Sequence, residues 1–197
     1  MLHEGFFDRR KPLTIRWGNL PHWRQDGALY FVTFRLSDSL PKERLDEMRR
    51  MRSEWLDSHP NSSRTAIEQF SLEQRERIEH WLDQEAGSCV LRLPAARSIV
   101  EQTIEFFEGE RYELGERAVA PNHVHTLVRT ASGVDLSSVL HSWKRRSSEQ
   151  LRKIPEVAPI FPKGKSRLWQ TESLDHIVRG QKDLERYWEY IGGHRSE

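Results

Sequence analysis

Between Pro121 and Val128 the chain reads Pro-Asn-His-Val-His-Thr-Leu-Val, and this segment constrains the fold more than any other. It follows a Pro-Asn turn signal and ends before Ala131-Ser132-Gly133, which predicts a strand over 123–130. Side chains on a strand alternate faces with a period of two, so His123 and His125 project together, while Val124 and Leu127 sit among apolar neighbours. Two imidazoles displayed this way can bind one divalent cation through their ring nitrogens. The spacing by itself also fits a pair of solvated rings.

A strand needs partners, and the sequence offers them. Residues 28–36, Ala-Leu-Tyr-Phe-Val-Thr-Phe-Arg-Leu, and 111–119 carry the same β-branched and aromatic signature between turn signals, and Cys89–Leu93 reads as a shorter strand. Helices fill the intervals. One starts at Pro41 with Leu45, Met48, Met51, Trp55 and Leu56 at helical spacing. Residues 66–84 are polar with a partial stripe of Ile67, Phe70, Ile78, Trp81 and Leu82. Ser71 with Gln74 resembles a capping box, which leaves one helix or two open. Pro94 opens a further helix, and Asp135 caps one that buries Leu136, Val139, Leu140 and Trp143. Residues 171–191 read as helical with a break at Gly180. This order predicts an α+β fold, an antiparallel sheet with helices on one face, in a single domain over 1–197. Residues 61–86 read as a helical insertion at the edge of the core, and 155–168 as an irregular basic loop.

Composition narrows the chemistry. Cys89 is the only cysteine, so an internal disulfide and a multi-cysteine metal site are excluded, and nine histidines are the remaining soft ligands. Lys and Arg total 31 against 30 Asp and Glu, so any affinity for nucleic acid has to come from local clustering. Mean hydropathy is −0.77. No apolar run approaches the ~20 residues of a membrane span, and no signal-type segment opens the chain, so a cytoplasmic protein without membrane contact is expected. His176, preceded by Asp175 as a possible orienting acceptor, is the candidate third ligand; on a helix it shares a face with Ser173. The basic cluster is Lys144, Arg145, Arg146, Arg152, Lys153, Lys163, Lys165 and Arg167, with Trp169 available for base stacking; Arg9, Arg10, Lys11 and Arg16 extend it. A charge run of this kind is also what a solvated face looks like.

Taken together, these motifs resemble a known family. Pro121–Val128 is similar to the His-hydrophobic-His signature of HUH single-strand nucleases. More narrowly the chain resembles the REP-associated tyrosine transposases, through Leu20-Pro21-His22-Trp23-Arg24, Tyr30–Phe34, Leu140–Lys144, Trp169-Gln170, Asp175–Arg179 and Tyr190-Ile191. The resemblance implies a ferredoxin-like sheet with the histidines on a central strand, Mg²⁺ or Mn²⁺ as cofactor, and cleavage of single-stranded DNA beside a hairpin through a 5′-phosphotyrosine. It implies a third metal ligand on the tyrosine-bearing helix, the place His176 fits, and a protein acting as a monomer or homodimer. It also implies chain beyond the Tyr-Ile pair, where this sequence runs only to Glu197. Counted from Trp169-Gln170, the tyrosine of the pattern falls on Ser173, and neither Glu172 nor Leu174 is a tyrosine. Four readings stand: Tyr187 or Tyr190 supplies the nucleophile, Ser173 does so at the greater cost of an alkoxide, water attacks, or cleavage is lost and hairpin binding is kept.

Overall fold

Two short N-terminal strands, β1 (Thr14–Trp17) and β2 (Pro21–Arg24), pair with each other as a ribbon. The next four, β3 (Leu29–Arg35), β4 (Tyr112–Val119), β5 (His123–Thr130) and β6 (Leu174–Ile177), form one antiparallel sheet in the order β4–β5–β3–β6. The helices are α1 (Lys42–Ser58), α2 (Arg64–Leu82), α3 (Pro94–Glu105), α4 (Leu136–Leu151) and α5 (Gln181–Gly193). This is a computed structural model, in which residues 2 and 4–194 are described. Among them no helix is long and apolar enough to cross a membrane.

β3 is buried along its whole length because both of its faces are covered. Tyr30, Val32 and Phe34, with Val124 and Val128 of β5, pack against Val100 and Ile104 of α3 and Val139, Leu140 and Trp143 of α4. The α+β class and the antiparallel sheet are as the sequence predicts, but the helices are not confined to the one face expected: α3 and α4 cover this face and α5 the other, because β3 and β5 carry apolar side chains on both. Leu29 and Phe31, with Leu127, point the other way and meet Leu184, Tyr187 and Ile191 of α5. A third cluster joins α2, through Phe70, Ile78, Trp81 and Leu82, to Leu174 at the start of β6 and to Leu45, Met48 and Trp55 of α1.

Three local expectations are corrected. Val90–Arg92 is a 3₁₀ turn rather than a strand, entered through a left-handed Cys89 (φ 50°) and ended by the helix-opening Pro94. α2 is one continuous helix: Ser63 caps it by accepting from the Ala66 N–H, and the Ser71 hydroxyl is spent on the Ile67 carbonyl within the helix. Leu174–Ile177 is a strand, not a helical turn, because pairing with β3 satisfies the backbone of both segments; α5 starts only after Gly180. Ser173 and His176 therefore share no helical face.

The ribbon is fastened to β6 by buried charge. The His22 ring lies between two carboxylates, with Nδ1 facing Asp175 and Nε2 3.0 Å from Glu172, and Arg24 donates to Asp175 as well. Carboxylates only accept, so both ring nitrogens donate and His22 is an imidazolium. Burial opposes that charge, but the hydrogen bonds from Asp175 and Glu172 outweigh it and raise His22 to about 9. A group whose folded-state pKa is raised stabilises fully below its unfolded value near 6.5 and stops doing so as pH passes its folded value. The stability difference between wild type and His22→Gln, measured by urea unfolding, is therefore expected to shrink by about 3 kcal/mol between about pH 6 and about pH 10. Taking the difference removes other groups that titrate in this window, Lys144 among them. A gap that stays constant across the window would mean that His22 is neutral in the fold.

Candidate metal and nucleophile site

His123 and His125 stand on the α5 side of the sheet with their Nε2 atoms 2.8 Å apart. Each ring is held from behind. The Asn122 side-chain amide donates to the Ala86 carbonyl, which turns its Oδ1 toward His123 Nδ1 at 2.7 Å. His123 thus carries its proton on Nδ1 and a lone pair on Nε2. Thr33, opposite His125 in the β3–β5 register, places its hydroxyl 2.8 Å from His125 Nδ1. A hydroxyl both donates and accepts, so it supports either tautomer of that ring. Burial holds His123 down to about 3 and His125 well below the ordinary histidine range, with the neighbouring imidazole charges acting in the same direction. Both are neutral at physiological pH, the form that ligates metal.

The third imidazole at this place is His194. It follows the last turn of α5, its Nδ1–H donates to the Tyr190 carbonyl at 2.9 Å, and its Nε2 lies 3.2 Å from the Asp83 carboxylate, which only accepts, so a lone pair for a metal is free on Nε2 once that contact is released. One nitrogen from each of His123, His125 and His194 lies within 4.8 Å of the others. A cavity of about 410 Å³, lined by His123, Tyr190, His194 and Glu189, opens in front of them. Three nitrogen donors beside open space suit a divalent ion that keeps further positions for oxygen ligands.

His176 is not part of this group. It sits on β6 beside Phe31, where Nε2–H donates to Asp183 at 3.0 Å and Nδ1 accepts from Arg75 at 3.2 Å. Burial and the charge of Arg75 press it down to about 4. Asp175, expected to orient an imidazole, orients that of His22 instead.

The two tyrosines of α5 differ sharply. Tyr187 stacks on Phe31, ring centroids 4.1 Å apart, and its hydroxyl accepts from Arg75 at 2.8 Å and Arg186 at 3.0 Å. Tyr190 sits edge-on to His125 at 5.1 Å and to His194 at 4.7 Å, and its hydroxyl is buried without a hydrogen-bond partner among the described residues. Burial, reinforced by Glu79 and Asp83, pushes its phenol well above the ordinary tyrosine range. Glu79 of α2, raised to about 7 by burial, lines the same cavity of about 290 Å³ as Tyr190, and its Oε1 is likewise unpartnered. Ser173, just before β6, is buried with a free hydroxyl and has no hydrogen bond to the three imidazoles.

The basic run divides. Trp169 is a core residue, donating to Ser147 and packed on Phe34, so it offers no stacking face. The Lys144 ammonium turns inward to the Gln170 and Thr171 carbonyls, and Arg152 holds the carbonyls of Phe161 and Ser166. Lys153 hydrogen-bonds Gln150 and Arg167 bonds Thr171. Arg145, Arg146, Lys163, Lys165 and Arg167 are exposed, Arg146 lying over the Phe106 ring at 3.7 Å. α4 packs across the sheet from the histidines. Sequence reasoning missed His194, Asn122, Thr33 and Arg75. The signal for His194 was its i+4 spacing from Tyr190 on a helix whose apolar face includes Tyr187 and Ile191. Arg75 carried no signal, since nothing local says what α2 packs against.

A family model described as Transposase IS200 like matches residues 90–194, just over half of the chain and all three of these imidazoles. No curated protein matches it. Among solved structures, one described as "Structure of the REP associates tyrosine transposase bound to a REP hairpin" aligns at 16% sequence identity and a TM-score of 0.44. The alignment covers 84% of this chain and 65% of the other, so the present chain spans less than two thirds of that one.

Metal binding by this trio has a direct readout. Mn²⁺ at a hundred times its Kd is expected to stabilise the fold by about 2.7 kcal/mol, seen as a thermal shift. The shift is expected to disappear in His125→Ala and to shrink in His194→Ala, while His176→Ala keeps it. Loss in His176→Ala with retention in His194→Ala would assign the third ligand the other way.

Proposed function

The chain belongs to the IS200-like transposase family, and from that premise we propose that it is a metal-dependent endonuclease of single-stranded DNA. In this reading it recognises a hairpin, as REP-associated members do, and cuts beside it by transesterification with Tyr190 as nucleophile. The observation that carries the reading is the Tyr190 side chain, packed against two of the three imidazoles with a hydroxyl that makes no hydrogen bond among the described residues. Tyr187 is committed to Phe31 and two arginines, and Ser173 makes no contact of this kind.

His123, His125 and His194 would hold the cation, Mg²⁺ or Mn²⁺, which when bound polarises the scissile phosphate. Mg²⁺ favours an all-oxygen octahedron, so three imidazoles favour Mn²⁺ of the two. The residues of the chain do the rest. Asn122 and Thr33 fix the imidazole planes, and the packing of α5 on Phe31 sets Tyr190 beside them. The Tyr190 oxygen bonds to phosphorus, the bond to the 3′-oxygen breaks, the phenol gives up its proton, and the departing 3′-oxygen gains one. The phosphotyrosine keeps the bond energy that later rejoining needs.

Incubating the protein and Mn²⁺ with a labelled hairpin carrying a single-stranded flank is expected to give a covalent adduct that mass spectrometry maps to Tyr190. Tyr190→Phe is expected to lower adduct formation and cutting by roughly 10³-fold or more. Tyr187→Phe and Ser173→Ala are expected to retain the adduct. An adduct on Ser173 would reassign the nucleophile, free product without adduct would mean attack by water, and a shifted band without cutting would mean a hairpin-binding protein.

A further inference from the structure

At the opposite end of α2 from the histidines, the N-terminal arm and the start of that helix enclose a cavity of about 620 Å³. Arg9, Arg10, Lys11, Arg64 and Arg179 line it around Phe7 and Trp23, whose rings meet edge to face at 6.4 Å. The arm that carries these cations is tied to the sheet. Phe7 donates its N–H to the Val178 carbonyl, Leu29 donates to the Gly5 carbonyl, and the Gln25 side chain bridges Asp8. Two acids answer the positive charge: Asp8 pairs with Arg10, and Glu68 pairs with Arg179. Arg179 also lies over both aromatic rings and keeps a buried Nε with no acceptor. Among the described residues, Arg9, Lys11 and Arg64 are exposed and make no ion pair. A concave site with surplus fixed cations and an aromatic floor is what a nucleic-acid backbone binds.

The cavity is aligned with the candidate site. α2 and α5 run side by side in the same direction: Glu68 meets Arg179 just before α5, Arg75 meets Tyr187, and Asp83 meets His194. From Glu68 to Asp83 α2 rises about 22 Å at 1.5 Å per residue. That is about six nucleotides at the 3.4 Å spacing of one duplex strand, and fewer if the strand is drawn out. We infer that this basic cavity is a second DNA subsite, holding the phosphate backbone of the single strand that flanks the hairpin, a short reach from the scissile linkage. The inference rests on the transposase reading for the identity of the anion. The arm is where the cations cluster around a hollow, whereas the exposed cations of α4 lie on the far side of the sheet from the histidines.

The test compares wild type with the Arg9→Gln/Lys11→Gln/Arg64→Gln triple variant by fluorescence anisotropy, in EDTA, using a hairpin with a ten-nucleotide single-stranded flank and the same hairpin with a blunt end. The variant is expected to bind the flanked probe about tenfold more weakly at moderate salt and to lower the slope of log K against log salt by about 2, from roughly 0.7 per lost contact. Its affinity for the blunt probe and its melting temperature are expected to match wild type. An unchanged slope on the flanked probe, or equal loss on both probes, would overturn the assignment. EDTA switches cutting off, so a flank-dependent loss supports the subsite even if no adduct ever forms on Tyr190.

Discussion

β3 is paired on both sides, to β5 and to β6, and that double pairing decides which side chains from distant segments become neighbours. Register sets Thr33 across from His125 and Phe31 across from His176. Because side chains alternate along a strand, a slip of one residue would send Thr33 and Phe31 to the α3–α4 layer and remove the support behind the imidazoles. Nothing at the candidate site tolerates such a slip. Tyr30, Val32 and Phe34 are buried against α3 and α4, so the same apolar packing that stabilises the fold also aims the histidines.

The second constraint is the pairing of α2 with α5. Arg75 reaches from α2 to the Tyr187 hydroxyl and to His176, immobilising one tyrosine while the other, a turn further on, is left without a hydrogen bond among the described residues, beside the three imidazoles. A polar helix that looks like an accessory therefore completes the site. Its acidic end, with Glu79 and Asp83, meets Tyr190 and His194, whereas its first turn, with Arg64, meets the basic arm.

How much of this was legible in the sequence follows from where the determining information lies. β3 and β5 were readable because burial on both faces leaves near-continuous apolar and β-branched runs, and α4 because Asp135 caps it, accepting from the Ser137 N–H. β6 was read as helix because four residues carry too little period to outweigh helical spacing, and what makes them a strand is the edge of β3. His123 and His125 were visible because period two puts them together with no tertiary knowledge. His194 was not, since only the docking of α5 brings it to them. Trp169 and Lys144 were misread as DNA contacts for a related reason: a sequence shows that a residue is aromatic or cationic, not whether Ser147 or the Gln170 carbonyl already uses it.

The contact between His123 Nε2 and His125 Nε2 has a consequence for the hydrogen inventory of the protein. His123 keeps its proton toward Asn122, so in the free protein the shared hydrogen belongs to His125, whose Nδ1 accepts from Thr33. A cation held through both Nε2 atoms would require His125 to carry its hydrogen on Nδ1, where the threonine oxygen would accept instead of donate. For these two rings, uptake of an ion would then change which nitrogen of His125 carries the hydrogen and not how many hydrogens the pair holds, and a rotatable hydroxyl is what accommodates both arrangements.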